Sequence, residues 1–156
     1  IMLDQDLAKR YLLQASPKDV VMVVPFDSGT RWVKKVEGND ANALLDLWRA
    51  VAAERASGGT DIYSPTNAVL DEIRKYRIED YSASVILMTD GDSQGSFDVL
   101  KQGLTSKGLT ALPIYSIKFG EASADQLNAI AKLTSGKVFD AKKDLISAFR
   151  EAKGYN

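Results

Sequence analysis

The chain has 156 residues, 45% of them hydrophobic and 26% charged, which suits one folded domain with a sizeable core and excludes disorder as its main state. Its 20 Lys and Arg against 21 Asp and Glu leave a net charge of -1, without the basic excess that nucleic-acid binders carry. Cys and His are both absent, which excludes disulfides, thiolate nucleophiles, Ser-His-Asp machinery and imidazole metal ligands. Any metal held here must be a hard cation on oxygen ligands, such as Mg²⁺, Mn²⁺ or Ca²⁺. The longest apolar stretch, Val20 to Phe26, is too short to span a bilayer, so no membrane insertion is expected of this domain. No signal peptide is visible, and the opening Ile1-Met2 reads as cut from a longer protein; the compartment stays open.

Met2 to Ala15 places Leu3, Leu7, Ala8, Tyr11 and Leu12 on one side of a helix, and Ser16-Pro17 stops it. Val20 to Val24 is a continuous apolar run of strand length, as in a buried parallel strand. Asp27-Ser28-Gly29 turns the chain into Arg31 to Val36, whose loose alternation predicts an exposed antiparallel edge strand. Gly38-Asn39-Asp40 supplies a turn and a cap for a helix carrying Leu44, Leu47, Trp48, Val51 and Ala52. Ser57-Gly58-Gly59-Thr60 breaks that helix, and Pro65, Val69, Ile73 and Tyr76 mark the next. Val85 to Met88 is a second apolar strand, ended by Thr89-Asp90-Gly91-Asp92. Beyond it come a helix (Phe97, Leu100, Leu104), a strand (Leu112 to Phe119), a helix (Leu127, Ile130, Leu133), a short strand (Lys137 to Phe139) and a last helix (Leu145, Ile146, Phe149). The alternation predicts a single α/β domain over residues 1–156: Rossmann-like and doubly wound, with a mostly parallel sheet, one antiparallel edge strand and helices on both faces. Ligands then belong at the carboxyl ends of the strands.

Two segments fall there. Gly58-Gly59-Thr60-Asp61-Ile62 opens a helix, and Thr89-Asp90-Gly91-Asp92 follows a buried strand. Thr60 and Asp90 offer a hydroxyl and a carboxylate of the kind that Mg²⁺ accepts; the plain alternative is turn and capping chemistry. Trp32, Trp48, Lys34-Lys35 and Arg74-Lys75-Tyr76-Arg77 have structural explanations: surface, core, edge protection and a helix C-terminus respectively.

With their surroundings these segments resemble the von Willebrand factor A domain family. Val85 to Gly91 is similar to the strand that ends in Thr-Asp-Gly, and Gly58 to Ile62 to the loop carrying the metal-site threonine. Pro113 to Gly120 is similar to the fifth strand, and Leu127 to Thr134, Gly136, Phe139-Asp140 and Asp144 to Phe149 to the closing elements. The resemblance implies a non-enzymatic interaction module with a metal-ion-dependent adhesion site for Mg²⁺ or Mn²⁺. Thr60 and Asp90 would be its ligands, and an acidic side chain of a protein partner would complete the coordination. It slightly favours a surface or exported parent. The family's Asp-x-Ser-x-Ser loop follows a strand that precedes the first helix, so it is expected to lie outside this chain, leaving a partial site and weak metal binding. Asp27-Ser28-Gly29-Thr30 has the wrong register to replace it and reads as a turn. Two other readings remain: an Asp-x-Asp glycosyltransferase-type enzyme using Asp90-Gly91-Asp92, and a purely structural domain of a longer protein.

Overall fold

A computed structural model describes residues 15–55, 57–120, 122–141, 147, 148 and 152. The expected first helix, except Ala15, and the expected last helix at Leu145, Ile146 and Phe149 lie outside the described residues. The chain divides into two compact units, one ending at Gly58 and the other starting at Gly59.

In the first unit β1 (Val20–Val23) pairs antiparallel with β2 (Lys34–Glu37), with Val21 opposite Val36 and Val23 opposite Lys34. A bond from the Gly38 N–H to the Asp19 carbonyl (2.7 Å) closes one end of this hairpin. Near the other end, the Arg31 N–H donates to the Pro25 carbonyl (3.0 Å). Residues 31–33 therefore leave the ladder, which is shorter than the alternation predicted. The side chains of Arg31 and Trp32 account for this, since both bond to Glu54: Arg31 Nε at 2.9 Å from Oε2, and the indole N–H to Oε1. Trp32 is half-buried against the unit's core rather than a surface residue.

Helix α1 (Ala41–Ala52) starts where expected, because Asp40 caps it by accepting the Ala43 N–H at 2.7 Å. It buries Leu44 and Leu47 against Val36, with Val21, Val23 and Trp32 packed around them. Lys34 sits over the Trp32 ring at 5.3 Å, and Lys35 pairs with Glu37 at 3.1 Å.

The second unit carries α2 (Tyr63–Ile73), β3 (Val85–Thr89), α3 (Phe97–Lys107), β4 (Ile114–Lys118), α4 (Ala124–Thr134) and β5 (Val138–Asp140). Its strands form a parallel sheet in the order β3-β4-β5, with Val85 opposite Ile114 and Lys118 opposite Asp140. Helices between successive parallel strands are what parallel crossovers require. One sheet of five strands was expected. Among the described residues there are two sheets, the hairpin in the first unit and the parallel trio in the second. The apolar run at Val20 to Val24 marks a strand but does not say which strand it pairs with.

Leu100 and Leu104 of α3, Leu70 of α2 and Leu127 and Ile130 of α4 are almost fully buried. On α2 the buried side chains are Tyr63, Pro65, Thr66 and Leu70, while Val69 and Ile73 are only half-covered. Tyr76 lies beyond the end of that helix. Two of the cations after α2 are paired nearby, Lys75 with Glu72 and Arg77 with Asp80.

Candidate metal centre

Parallel order puts the carboxyl ends of β3 and β4 side by side, so the loops after Thr89 and after Lys118 share one edge of the sheet. Strand β3 ends because its last side chain bonds to its own turn. The Thr89 hydroxyl donates to the Gly91 carbonyl (3.1 Å) and accepts the Gly91 N–H (3.4 Å). Asp90 is thereby held at the turn, with its side chain exposed.

Thr60 comes to the same turn from the loop before α2. Its hydroxyl lies 3.1 Å from where a Cβ on Gly91 would stand, so a side chain beside Asp90 would press on the threonine. The Gln94 N–H donates to the Thr60 carbonyl at 2.8 Å, tying the two loops together through their backbones. From the third side comes Gly120, at φ +60, where a Cβ would meet the Asp90 carbonyl oxygen at 3.0 Å. That φ suits glycine and few other residues.

The next carboxylate, Asp61, is already committed. Its Oδ1 accepts the N–H groups of Tyr63 (2.8 Å) and Ser64 (3.3 Å), capping the first turn of α2. Tyr63 is 3% exposed, and burial, with the nearby Asp61 charge in second place, raises its phenol above the ordinary value of 10.0. Asp92 is exposed on the Asp90 loop.

Two residues at this edge escaped the sequence reading. Ser93 is buried, and its hydroxyl accepts the Ile62 N–H (3.1 Å) and the Gly95 N–H (3.3 Å). Gln126 on α4 grips the Ser93 backbone twice: its Oε1 accepts the Ser93 N–H at 2.8 Å, and its Nε2 donates to the Ser93 carbonyl at 2.9 Å. The local sequence misdirects here. Ser123 and Gln126 have capping-box spacing, in which the glutamine would reach back to the cap. Only the serine half of that box is made, with Ser123 Oγ accepting the Gln126 N–H at 3.4 Å.

The Asp27 to Thr30 segment is a turn, as expected. Asp27 accepts the Gly29 N–H (3.3 Å) and pairs with Arg31 (3.2 Å), so its carboxylate is engaged within the loop. Another segment does have the Asp-x-Ser-x-Ser spacing: Asp80-Tyr81-Ser82-Ala83-Ser84. It precedes β3 and so lies at the amino end of that strand, away from Asp90, with Asp80 paired to Arg77 at 3.7 Å. Spacing without the right place in the fold carries no ligand role.

Among the described residues, no group of three or more His, Cys, Asp and Glu is gathered around a point that could hold an ion. Thr60 and Asp90 fit a hard cation in kind, as hydroxyl and carboxylate, but as two ligands rather than a closed set.

The comparisons agree with this architecture. The family model for the von Willebrand factor type A domain matches residues 8–150. Among curated proteins, the chain is 27% identical over 145 residues to the mouse calcium-activated chloride channel regulator 3A-1, covering 90% of this chain and 15% of that protein. Among solved structures, a von Willebrand factor type A protein from Catenulispora acidiphila superposes with a TM-score of 0.64 over 95% of this chain and 35% of that one. It shares 16% sequence identity, a likeness of fold. With a Thr-Asp-Gly turn closing a parallel strand, and a family match that begins in the first unit and ends in the second, the chain belongs to the von Willebrand factor type A domain family.

Proposed function

We propose that this chain is a single non-enzymatic domain, spanning both units, that binds another protein through a partial metal-ion-dependent adhesion site. Thr60 and Asp90 are its own oxygen ligands for Mg²⁺ or Mn²⁺. The ion, when bound, would attract an acidic side chain of the partner. The observation that carries this reading is the Thr60 hydroxyl seated against Gly91, next in the chain to Asp90, at the carboxyl edge of the parallel sheet. Family membership supports the interaction role. The name of the curated relative, a regulator of a channel, is compatible with a parent acting at the cell surface, though the chain spans only 15% of that protein.

Calorimetric titration of Mg²⁺ and Mn²⁺ into the chain tests the site. Weak binding, with a dissociation constant well above micromolar, is expected, and it should vanish in Asp90→Ala and fall in Thr60→Val. Unchanged binding in both variants would remove these residues from the site. Micromolar binding would point to a further ligand loop, and the turn at Asp27 to Thr30 would need rereading. The Asp-x-Asp enzyme reading predicts heat on adding a nucleotide sugar with Mn²⁺. No described helix is long and apolar enough to cross a membrane.

A further inference from the structure

The two ligand loops are built from different parts of the chain; they pack where Gly91 meets Thr60 and Gly95 meets Asp61, and hydrogen bonds at Ser93 and Gln94 tie them. The Ser93 hydroxyl receives Ile62 from the Thr60 loop, the Gln94 N–H reaches the Thr60 carbonyl, and Gln126 grips the Ser93 backbone from α4. Ser93 is thus a hydrogen-bonded junction between them, and Gln126 is a side chain from outside both loops that fixes it. Only one orientation of the Gln126 amide satisfies both bonds, since the carbonyl must face the N–H and the NH₂ must face the carbonyl. The match is therefore specific to an amide, and neither a carboxylate nor an apolar chain reproduces it.

We propose that Gln126 is a positioning residue for the candidate metal centre. By holding both backbone groups of Ser93, it locks the Thr60 loop and the Asp90 loop into one rigid unit, and through it the first turn of α4 sets the spacing of the two ligands. The spacing of Thr60 and Asp90 matters because Mg²⁺ tolerates little departure from octahedral geometry. The locking stands on the hydrogen bonds alone; only its consequence for metal rests on the reading of Thr60 and Asp90 as ligands.

Amide hydrogen exchange by NMR on the whole chain tests the lock without any metal, using Gln126→Met, which keeps length and helix preference, and Gln126→Glu, which keeps the acceptor but not the donor. In Gln126→Met the amides of Ser93, Gln94 and Ile62 should all exchange faster by about tenfold, the worth of a hydrogen bond in a part-buried site. Gln126→Glu should fall between that variant and the parent. Amides of Tyr115 and Ile117 in β4 should keep their protection, which shows that the fold is intact. Faster exchange at Ser93 alone, with Gln94 and Ile62 unchanged, would overturn the lock. Mn²⁺ titration of the same variants supplies the second arm. Weaker binding in Gln126→Met, partly restored in Gln126→Glu, supports the positioning role, and parent-like affinity in Gln126→Met overturns it. If the parent chain binds no Mn²⁺ at all, the metal reading fails while the exchange result still decides the lock.

Discussion

Gly95 and Asp61 approach so closely that a Cβ on the glycine would stand 2.1 Å from Asp61 Oδ1, the same oxygen that caps α2. The end of the Asp90 loop is therefore packed on the start of the helix that follows Thr60. Gly95→Ala should displace the Asp61 carboxylate from its cap and destabilise the chain by about 1–3 kcal/mol, combining a lost cap with overpacking. Chemical denaturation checks it. A change under about 0.5 kcal/mol, the range of neutral surface substitutions, would mean that the carboxylate swings aside freely.

Gly91 offers a milder version of the same experiment. A methyl group there would stand 3.1 Å from the Thr60 hydroxyl, tight enough to push it by a few tenths of an ångström without a strained backbone. Gly91→Ala is expected to keep the fold, with less than about 1.5 kcal/mol of destabilisation, yet to weaken Mn²⁺ binding. Denaturation and calorimetry on one preparation separate the two effects; equal binding with equal stability would show that the threonine position is uncritical.

Tyr63 gives a pH dependence whose sign is fixed by its burial. Its folded pKa is raised, by desolvation first and the Asp61 charge second, so the folded chain holds the phenol proton more tightly than the unfolded chain. That contribution is complete below pH 10.0, the unfolded value, and is lost as the pH rises through the higher folded value. Tyr63→Phe, which keeps the edge-to-face contact with Phe97 at 5.9 Å, should therefore lose less stability than the parent on going above pH 10. Parallel denaturation curves at neutral and alkaline pH measure the difference. A parent that declines no faster than the variant would contradict it.

Ser116 lies at the centre of β4, 0% exposed, and its hydroxyl has no hydrogen-bond partner among the described residues. An unmade buried bond is destabilising, so Ser116→Ala should be neutral or stabilise the chain by up to about 2 kcal/mol. Thermal melting reads this directly, and a clear loss of stability would reveal a partner that the hydroxyl needs.

The contrast between Val85–Thr89 and Arg31–Val36 shows where sequence patterns carry information. The former is an apolar run bounded by a Thr-Asp-Gly turn, and its strand appears within one residue of the expected limits. The latter alternates only loosely, and the strand keeps just Lys34–Glu37, because long-range bonds to Glu54 claim Arg31 and Trp32. The division into two sheets was hidden as well, because an apolar run does not say which strand it pairs with. Around the candidate site, the strand end at Thr89 and the turn at Asp90-Gly91 were legible because turn chemistry and strand ends are local. Gln126 was not, since its partner is 33 residues away and is a backbone rather than a side chain. Its own neighbourhood even proposes another partner, the Ser123 cap.

The grip of Gln126 on main-chain atoms has a consequence for how such a surface can diversify. Because the amide reads only the peptide groups of Ser93, the shape of the Asp90 loop is specified from outside it. Asp92 and Gln94, both exposed on either side of the anchor, are then free to take other side chains without changing the path of the chain beneath them. The molecule separates a frame from what it carries: one helix residue holds the main chain of the loop, and the side chains at Asp92 and Gln94 take no part in that grip.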